Sequence, residues 1–390
     1  MKEKKKISLI FAVILLIITN VATFGLTTFG TSIVSENKYV KLDNLESIVK
    51  ENYLYPVTDE ELKEGELKGV LAGLKDPYSY YMTAAEYENT TQSLTGKFYG
   101  IGVEITAGED NLITVISPIK GSPAEKAGIK SGDKIINIEG NDYTADKIND
   151  AVTAMKGKEG TEVSIKLLRP LENKVFDVKI KRAEIKDPTI ISKNIDGIGY
   201  IGITQFKEET ANDFKENLNS LESENIKGLV IDLRGNPGGI VDPAVEIADA
   251  LLPEGTIVYA ENNKKERVFD YKSDAEHTEV PIVVLINEAS ASASEILSGA
   301  IQDHNRGTII GKNSFGKGIG QSQIPFFNGD GIVLTTFEYF LPNGENIHGI
   351  GIKPDIEVSE PEEIVGIGVD YLGTDTQLQK ALDILSEDKE

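Results

Sequence analysis

Residues 7–35 carry no charged side chain, and four lysines stand among the six residues before them. Within 7–26 only Ser8, Thr19, Asn20 and Thr23 are clearly polar. Roughly 20 apolar residues suffice to span a bilayer as a helix. The run therefore predicts a cytoplasmic tip and one transmembrane anchor over residues 1–35. Lysines ahead of the span leave the rest of the chain outside. A cleaved signal peptide is the competing expectation, but the run is long for one and no Ala-x-Ala site follows it cleanly. Either way the working part is extracytoplasmic, and the expected location is the cell membrane, crossed once.

Composition narrows what that exported part does. Acidic residues outnumber basic ones by 63 to 40 in 390 residues, a net charge of −23, which repels nucleic-acid backbones. There is no cysteine. Disulfides, thiol nucleophiles, iron–sulfur clusters and thiolate zinc sites are excluded together. The three histidines, His277, His304 and His348, are not at metal-ligand spacing, so neither a metal nor a cofactor is expected.

Residues 36–95 read as helical. Thr58-Asp-Glu-Glu61 is a capping-box pattern, with Leu62, Leu67, Val70, Leu71 and Leu74 at helical spacing and Asp76-Pro77 as the stop. Leu42, Leu45, Ile48, Val49 and Tyr53 mark an earlier helix. Neither has enough residues for its own core, so both are expected to pack on a neighbour or a second subunit. Residues 96–182 change to short strands and turns, with strands over 100–105, 111–116, 134–138, 161–168 and 174–180 and helices over 122–128 and 146–155. Residues 183–360 alternate strands (199–203, 228–233, 257–259, 282–286, 308–310) with helices (214–221, 242–252, 292–302), which predicts an α/β core. A helical tail occupies 361–390, with Leu378, Ala381, Leu382 and Leu385 on one face.

Three segments of the core hold candidate chemistry. In Glu288-Ala-Ser-Ala-Ser-Ala-Ser-Glu295 a buried strand runs into a helix start, where free N–H groups and the dipole suit an oxyanion. Ser292-Ala-Ser-Glu295 is equally a capping box, and spacing leaves Ser290, Ser292 and Ser294 all open as nucleophile. Gly311-Lys-Asn-Ser-Phe-Gly-Lys-Gly318 nearly matches a phosphate-binding loop. However, Gly318 stands where Ser or Thr would hold Mg²⁺, and no helix follows. A solvated lysine on a flexible loop, a local anion site and a general-base lysine remain, the last only if burial lowers its pKa. In Ile231-Asp-Leu-Arg-Gly-Asn-Pro-Gly-Gly239 the glycines free backbone N–H groups for close approach. An ordinary strand–turn–helix corner, with Arg234 in an ion pair, explains it as well.

The element order of 96–182, with Tyr99-Gly-Ile-Gly102 and Ser122-Pro-Ala-Glu-Lys-Ala-Gly-Ile-Lys-Ser-Gly-Asp133, resembles a bacterial PDZ domain. The whole exported chain resembles the carboxyl-terminal processing proteases, the tail-specific serine–lysine peptidases. The resemblance adds Asp76-Pro-Tyr-Ser79 and Gly349-Ile-Gly-Ile-Lys-Pro-Asp355 to the three core segments. It implies an α/β protease core of crotonase-like strand–helix layers with an inserted PDZ domain. It also implies Ser292 as nucleophile, Lys317 as base, Gln321 orienting the lysine, and an oxyanion hole from N–H groups of Gly238 or Gly239 and of Ala293. For the PDZ domain it implies a terminal carboxylate bound at Tyr99, Gly100, Ile101 and Gly102. Ile101, Val103, Ile148 and Val152 would then form a pocket for an apolar last side chain. The expected partners are proteins or peptides with free, apolar carboxyl termini, the membrane, and a homodimer mate through the terminal helices. Arg169 is a candidate contact for a peptide carboxylate or for the core. A Ser-His-Asp triad through His304 or His348, an acyl-CoA-binding crotonase-like enzyme and a silent PDZ-type scaffold are the rival expectations.

Overall fold

The computed structural model describes residues 15–21, 23, 38–108, 110–186, 188–360 and 366–387. The chain divides into two compact units, Met1–Lys75 and Asp76–Glu390.

In the first unit, residues 15–21 and 23 are helical and exposed; the rest of the anchor expected over 1–35 lies outside the described residues. Among the described residues no helix is long and apolar enough to cross a membrane. Helices α1 (Lys38–Asn52) and α2 (Asp59–Ala72) follow. The Thr58 box forms as expected. The Thr58 N–H donates to the Glu61 carboxylate (2.7 Å), and the Glu61 N–H donates to the Thr58 hydroxyl (3.2 Å). Helix α2 ends at Ala72, ahead of the expected Asp76-Pro77 stop, with Gly73 as its cap. It buries no residue, and Leu45, Ile48 and Val70 stay exposed.

The second unit opens with β1 (Tyr80–Met82), α3 (Ala84–Thr95) and β2 (Lys97–Gly100). The PDZ domain comprises β3 (Val103–Ala107), β4 (Ile113–Pro118), α4 (Pro123–Lys126), β5 (Lys134–Ile138), β6 (Asn141–Asp142), α5 (Ile148–Met155), β7 (Glu162–Arg169) and β8 (Lys174–Lys181). Its sheet runs β3-β4-β5-β7-β8, with β6 on β5, so β3 is an edge. Ile113, Val115, Ile135, Val163, Ile165 and Leu167 pack with Ala151 and Met155 of α5 in a core of its own. The strand expected over 100–105 is broken between β2 and β3. Gly102 has φ 75, and its carbonyl accepts from Ser122 Oγ and the Ile119 N–H (both 3.0 Å) instead of a ladder partner. β9 (Ala183–Lys186) pairs antiparallel with β2, so the domain's entry and exit strands form a ribbon.

The core continues with β10 (Ile190–Ile195), β11 (Ile198–Ile203), α6 (Thr210–Ser223), β12 (Leu229–Asp232), α7 (Val241–Leu251), β13 (Gly255–Asn262) and β14 (Arg267–Ser273). It closes with β15 (Ile282–Ile286), α8 (Ala293–Asp303), β16 (Gly307–Gly311), β17 (Ile319–Pro325), β18 (Gly331–Phe340), β19 (Ile356–Glu357) and α9 (Thr376–Glu387). The main sheet is β10-β11-β12-β15-β16-β19, parallel from β11 onward. Strands β12 and β15 are buried throughout, which is why they read as unbroken apolar runs. Apolar residues of α6, α7 and α8 share one cluster with Val258, Ala260, Tyr339 and Leu341 of the second sheet and its edge. Leu378, Ala381 and Leu385 of α9 join a second cluster with Val230, Val283, Leu285 and Ile310, the alternate residues of the same strands. The second sheet, β1-β18-β13-β14 with β17 on β18, is antiparallel.

Strands β12, β15 and β16 are adjacent and parallel, so the loops 233–240, 287–292 and 312–318 leave the sheet side by side. Crevices beyond the carboxyl ends of parallel strands are the usual binding places of such sheets. All three candidate segments meet there.

Candidate active site

Three serines of one loop have different environments. Ser290 is fully buried; its hydroxyl donates to the Leu233 carbonyl (2.8 Å) and accepts the Asn287 N–H (3.0 Å). Ser294 is also fully buried and donates to the Asn236 carbonyl (3.0 Å). Both tie the β15 loop to the β12 loop. Ser292 is half-buried, and among the described residues its hydroxyl donates to no carbonyl. Its backbone stands at φ 56, ψ −112, a region non-glycine residues seldom occupy, at a cost of about 1–3 kcal/mol.

The glycines let the neighbouring loop approach. A Cβ on Gly238 (φ 99) would lie 2.9 Å from Ser292 Cβ and 3.0 Å from the Ala293 nitrogen. One on Gly239 (φ 143) would lie 2.0 Å from the Phe206 carbonyl oxygen. The Gly238 N–H is already donated to Asn236 Oδ1 (2.8 Å). Gly238 therefore contributes close approach rather than a free donor. Ala293 opens α8, where the first N–H groups lack intrahelical partners.

Two residues that sequence reasoning passed over hold Ser292 and Lys317 together. Glu295, expected only as a cap, is fully buried. Its carboxylate accepts the N–H groups of Ser292 (2.8 Å), Lys317 (2.9 Å) and Gly316 (2.7 Å) and the Ser314 hydroxyl (2.5 Å). Ser292 and Lys317 share the same oxygen, Oε2. The expected capping box therefore works chiefly from the Glu295 side, while the Glu295 N–H goes to the Ser292 carbonyl (2.8 Å). Tyr339, 47 residues from Ser292, completes the frame. Its buried hydroxyl lies against the Ser292 carbonyl (3.3 Å) and donates to the Lys317 carbonyl. Burial, and next the nearby Glu295, raise that phenol's pKa far above its ordinary value, so it stays a donor.

Lys317 is half-buried, and burial pushes its amine below the ordinary value against the pull of Asp76 and Glu295. Its Nζ stands 4.5 Å from the centroid of the Tyr78 ring. Among the described residues no hydrogen bond joins that amine to Ser292 or Gln321. Gln321 Nε2 donates to Thr335 Oγ1 instead (3.2 Å). The Asp76-Pro-Tyr-Ser79 turn, expected among the leading helices, thus belongs to the site. Its motif was visible; its distance in sequence from Lys317 hid its place.

Arg234 is in an ion pair, as expected, and the pair is buried. The arginine lies between Asp232 (2.6 Å) and Asp375 (2.7 Å), with Glu360 (3.1 Å) and Gln377 (3.0 Å) beside them. The histidines stand elsewhere: His304 Nε2 contacts the Thr256 carbonyl (2.8 Å), and His348 is exposed on a turn.

In the PDZ domain, Gly100, Ile101, Gly102, Val103 and Val152 line one small cavity with Ile105, Met155 and Lys156. Tyr99 lies in ribbon strand β2, and Ile148 packs on the domain's core without lining the cavity. Arg169 is committed inside the domain, to Asp133 (both contacts 2.7 Å), the Gly128 carbonyl (2.8 Å) and the face of Phe176. Its guanidinium is thus engaged within its own domain, not by the core.

Comparison with known proteins agrees with this architecture. Residues 197–358 match the model of peptidase family S41, 114–169 that of the PDZ domain, and 25–86 that of the activating protease CtpB N-terminal domain. The chain is 41% identical over 335 residues to a carboxy-terminal-processing protease of Bartonella bacilliformis, covering 84% of this chain and 77% of that one. It is 40% identical over 330 residues to the carboxy-terminal processing protease CtpB of Bacillus subtilis, covering 83% and 68%. A solved photosystem II D1 C-terminal processing protease superposes with a TM-score of 0.50 at 25% identity, over 88% of this chain and 90% of that one. The fold and these relatives define a serine-type peptidase with a PDZ domain. The chain belongs to peptidase family S41, among the carboxy-terminal processing proteases.

Proposed function

We propose that this protein is an exported, membrane-anchored endopeptidase that selects substrates by their free carboxyl end and cleaves them with Ser292, Lys317 and Gln321. The observation that carries the reading is the frame of Glu295 and Tyr339, which holds the backbones of Ser292 and Lys317 side by side. Ser292 attacks the scissile carbonyl, and neutral Lys317 takes its proton and returns it to the leaving amine. N–H groups of Gly239 and Ala293 receive the oxyanion, with Gly238 allowing the approach. Gln321, whose amide nitrogen faces Thr335, turns its oxygen toward the lysine. The parallel sheet with helices on it favours crotonase-like layering, here serving acyl transfer to serine rather than CoA chemistry.

Substrate tails add as a strand to the open β3 edge, the terminal carboxylate lying at Gly100–Gly102 and an apolar last side chain facing Val103 and Val152. The uncharged run 7–35 anchors the chain in the membrane. The terminal helices, whose apolar residues are left exposed on α1 and α2, carry a homodimer contact. A model peptide offered as free acid and as carboxyl amide tests the reading, with Ser292→Ala as control. The acid is cleaved faster, and Ser292→Ala binds it without cleaving it. Equal rates for acid and amide refute tail recognition; cleavage by Ser292→Ala refutes the nucleophile.

A further inference from the structure

The Tyr78 ring under Lys317 Nζ belongs to a braced turn. The Asp76 carboxylate accepts the Tyr78 N–H (3.0 Å) and the Ser79 hydroxyl (2.6 Å), and Ser79 Oγ accepts the Thr335 N–H (2.9 Å). Strand β18 thus fixes the turn from one side, and the same Thr335 receives Gln321 through its hydroxyl. Burial alone would raise the Asp76 carboxyl. The hydrogen bonds and the Lys317 charge outweigh it and hold it low, so Asp76 is an anion at neutral pH.

An aromatic face and a carboxylate both attract an ammonium and have little hold on a neutral amine. Catalysis by Lys317 needs the neutral amine. We infer that Asp76 and Tyr78 form a cradle that holds the protonated Lys317 side chain apart from Ser292 and lets it go when the proton leaves to solvent. The inference rests on the Ser292–Lys317 reading above and adds two positioning residues to it.

Of the other groups near Lys317, Glu295 also favours the ammonium by its charge, but its carboxylate is fixed by the frame and cannot follow the side chain. Glu295 of α8 is committed to backbone N–H groups, and the buried Tyr339 hydroxyl of β18 binds the lysine's carbonyl. His348 is exposed, and the adjacent Gly349 packs by its N–H on the Gly316 carbonyl of the lysine loop. The shared frame keeps the Lys317 and Ser292 backbones together, so the side chain alone has to move between cradle and hydroxyl.

The test measures kcat/KM against pH for the full chain with a free-acid peptide, in the native protein, Tyr78→Leu, Asp76→Asn and Lys317→Ala. The cradle predicts that Tyr78→Leu and Asp76→Asn move the acid limb to lower pH. At a pH below the native limb each then cleaves about threefold or more faster. A limb that stays, or moves to higher pH, with Lys317→Ala inactive, overturns the cradle and leaves the serine–lysine site standing. So does a folded Tyr78→Leu protein that is inactive at every pH. An active Lys317→Ala protein overturns the base itself. If Asp76→Asn fails to fold, having lost one of the two acceptors that brace the turn, Tyr78→Leu still decides.

Discussion

Ser292 occupies a conformation that glycine tolerates and serine does not favour. The strain is held by the hydrogen bonds on either side of it, from Ser290, Ser294 and Glu295. Replacing Ser292 by glycine is therefore expected to stabilise the protein by about 1 kcal/mol or more relative to Ser292→Ala, both variants being inactive. Thermal melts of the pair check this, and equal melting temperatures contradict it. Glu295→Gln keeps the size but turns an NH₂ toward groups that are themselves donors. About a hundredfold or greater loss in kcat is expected, with a smaller change in KM, because the frame sets the two reacting groups rather than the substrate. Steady-state kinetics separate the two. The Lys317 amine lies below its ordinary value because it is half-buried. Only the neutral amine accepts a proton, so kcat/KM rises with pH through that lowered value and then levels.

At the scale of elements, the site depends on loops between rigid strands and on α9, which reaches it through Arg234. Asp375 accepts from Arg234, from the Gly368 N–H (2.6 Å) and from the Leu378 N–H (2.8 Å), so one carboxylate both caps α9 and fixes the arginine. Arg234 directly precedes the Gly235–Gly239 turn. Removing one partner of a buried pair costs about 3–5 kcal/mol. Asp375→Asn is expected to lower stability on that scale and to loosen the turn. Burial opposes the Asp375 charge, but the Arg234 hydrogen bonds prevail and lower its pKa below the ordinary 3.8. The stabilisation is thus complete above that value and is lost as pH falls through the lower, folded one. Denaturant melts should show the Asn variant losing less stability than the native protein between mild and strong acid.

The elements that sequence periodicity found are those with a simple surroundings. Strands β12 and β15 are buried on both faces, and α7 and α8 have one apolar face each. The β17–β18 hairpin and β14 were not anticipated, because β17 and β18 are mostly half-buried and mix Gln, Ser, Thr and Glu among the apolar residues, while β14 alternates exposed and half-buried positions with charged residues among them. The same limit applies to the site. Its motif residues were visible as short patterns. The Glu295–Tyr339 frame, and the place of the Asp76–Tyr78 turn beside Lys317, depend on contacts between distant segments, which no local spacing records.

At the scale of the whole molecule, the PDZ domain enters and leaves through one ribbon, with Gly100 opposite Ala183. A two-stranded connection can flex, and peptide binding can favour a state only through its differential affinity for the two. Deleting residues 101–182 and joining Gly100 to Ala183 by a short glycine turn is expected to leave a folded core with reduced cleavage, since the tail is no longer captured. Indiscriminate cleavage by the deletion protein would instead make the domain an inhibitor, and unchanged rate and selectivity would remove it from catalysis altogether. The central claim, that Lys317 activates Ser292, is tested most directly by mass spectrometry of the products formed by Lys317→Ala on a free-acid peptide. Circular dichroism of the same sample establishes that it is folded. The account predicts intact peptide with a folded enzyme; products at a near-native rate would contradict it.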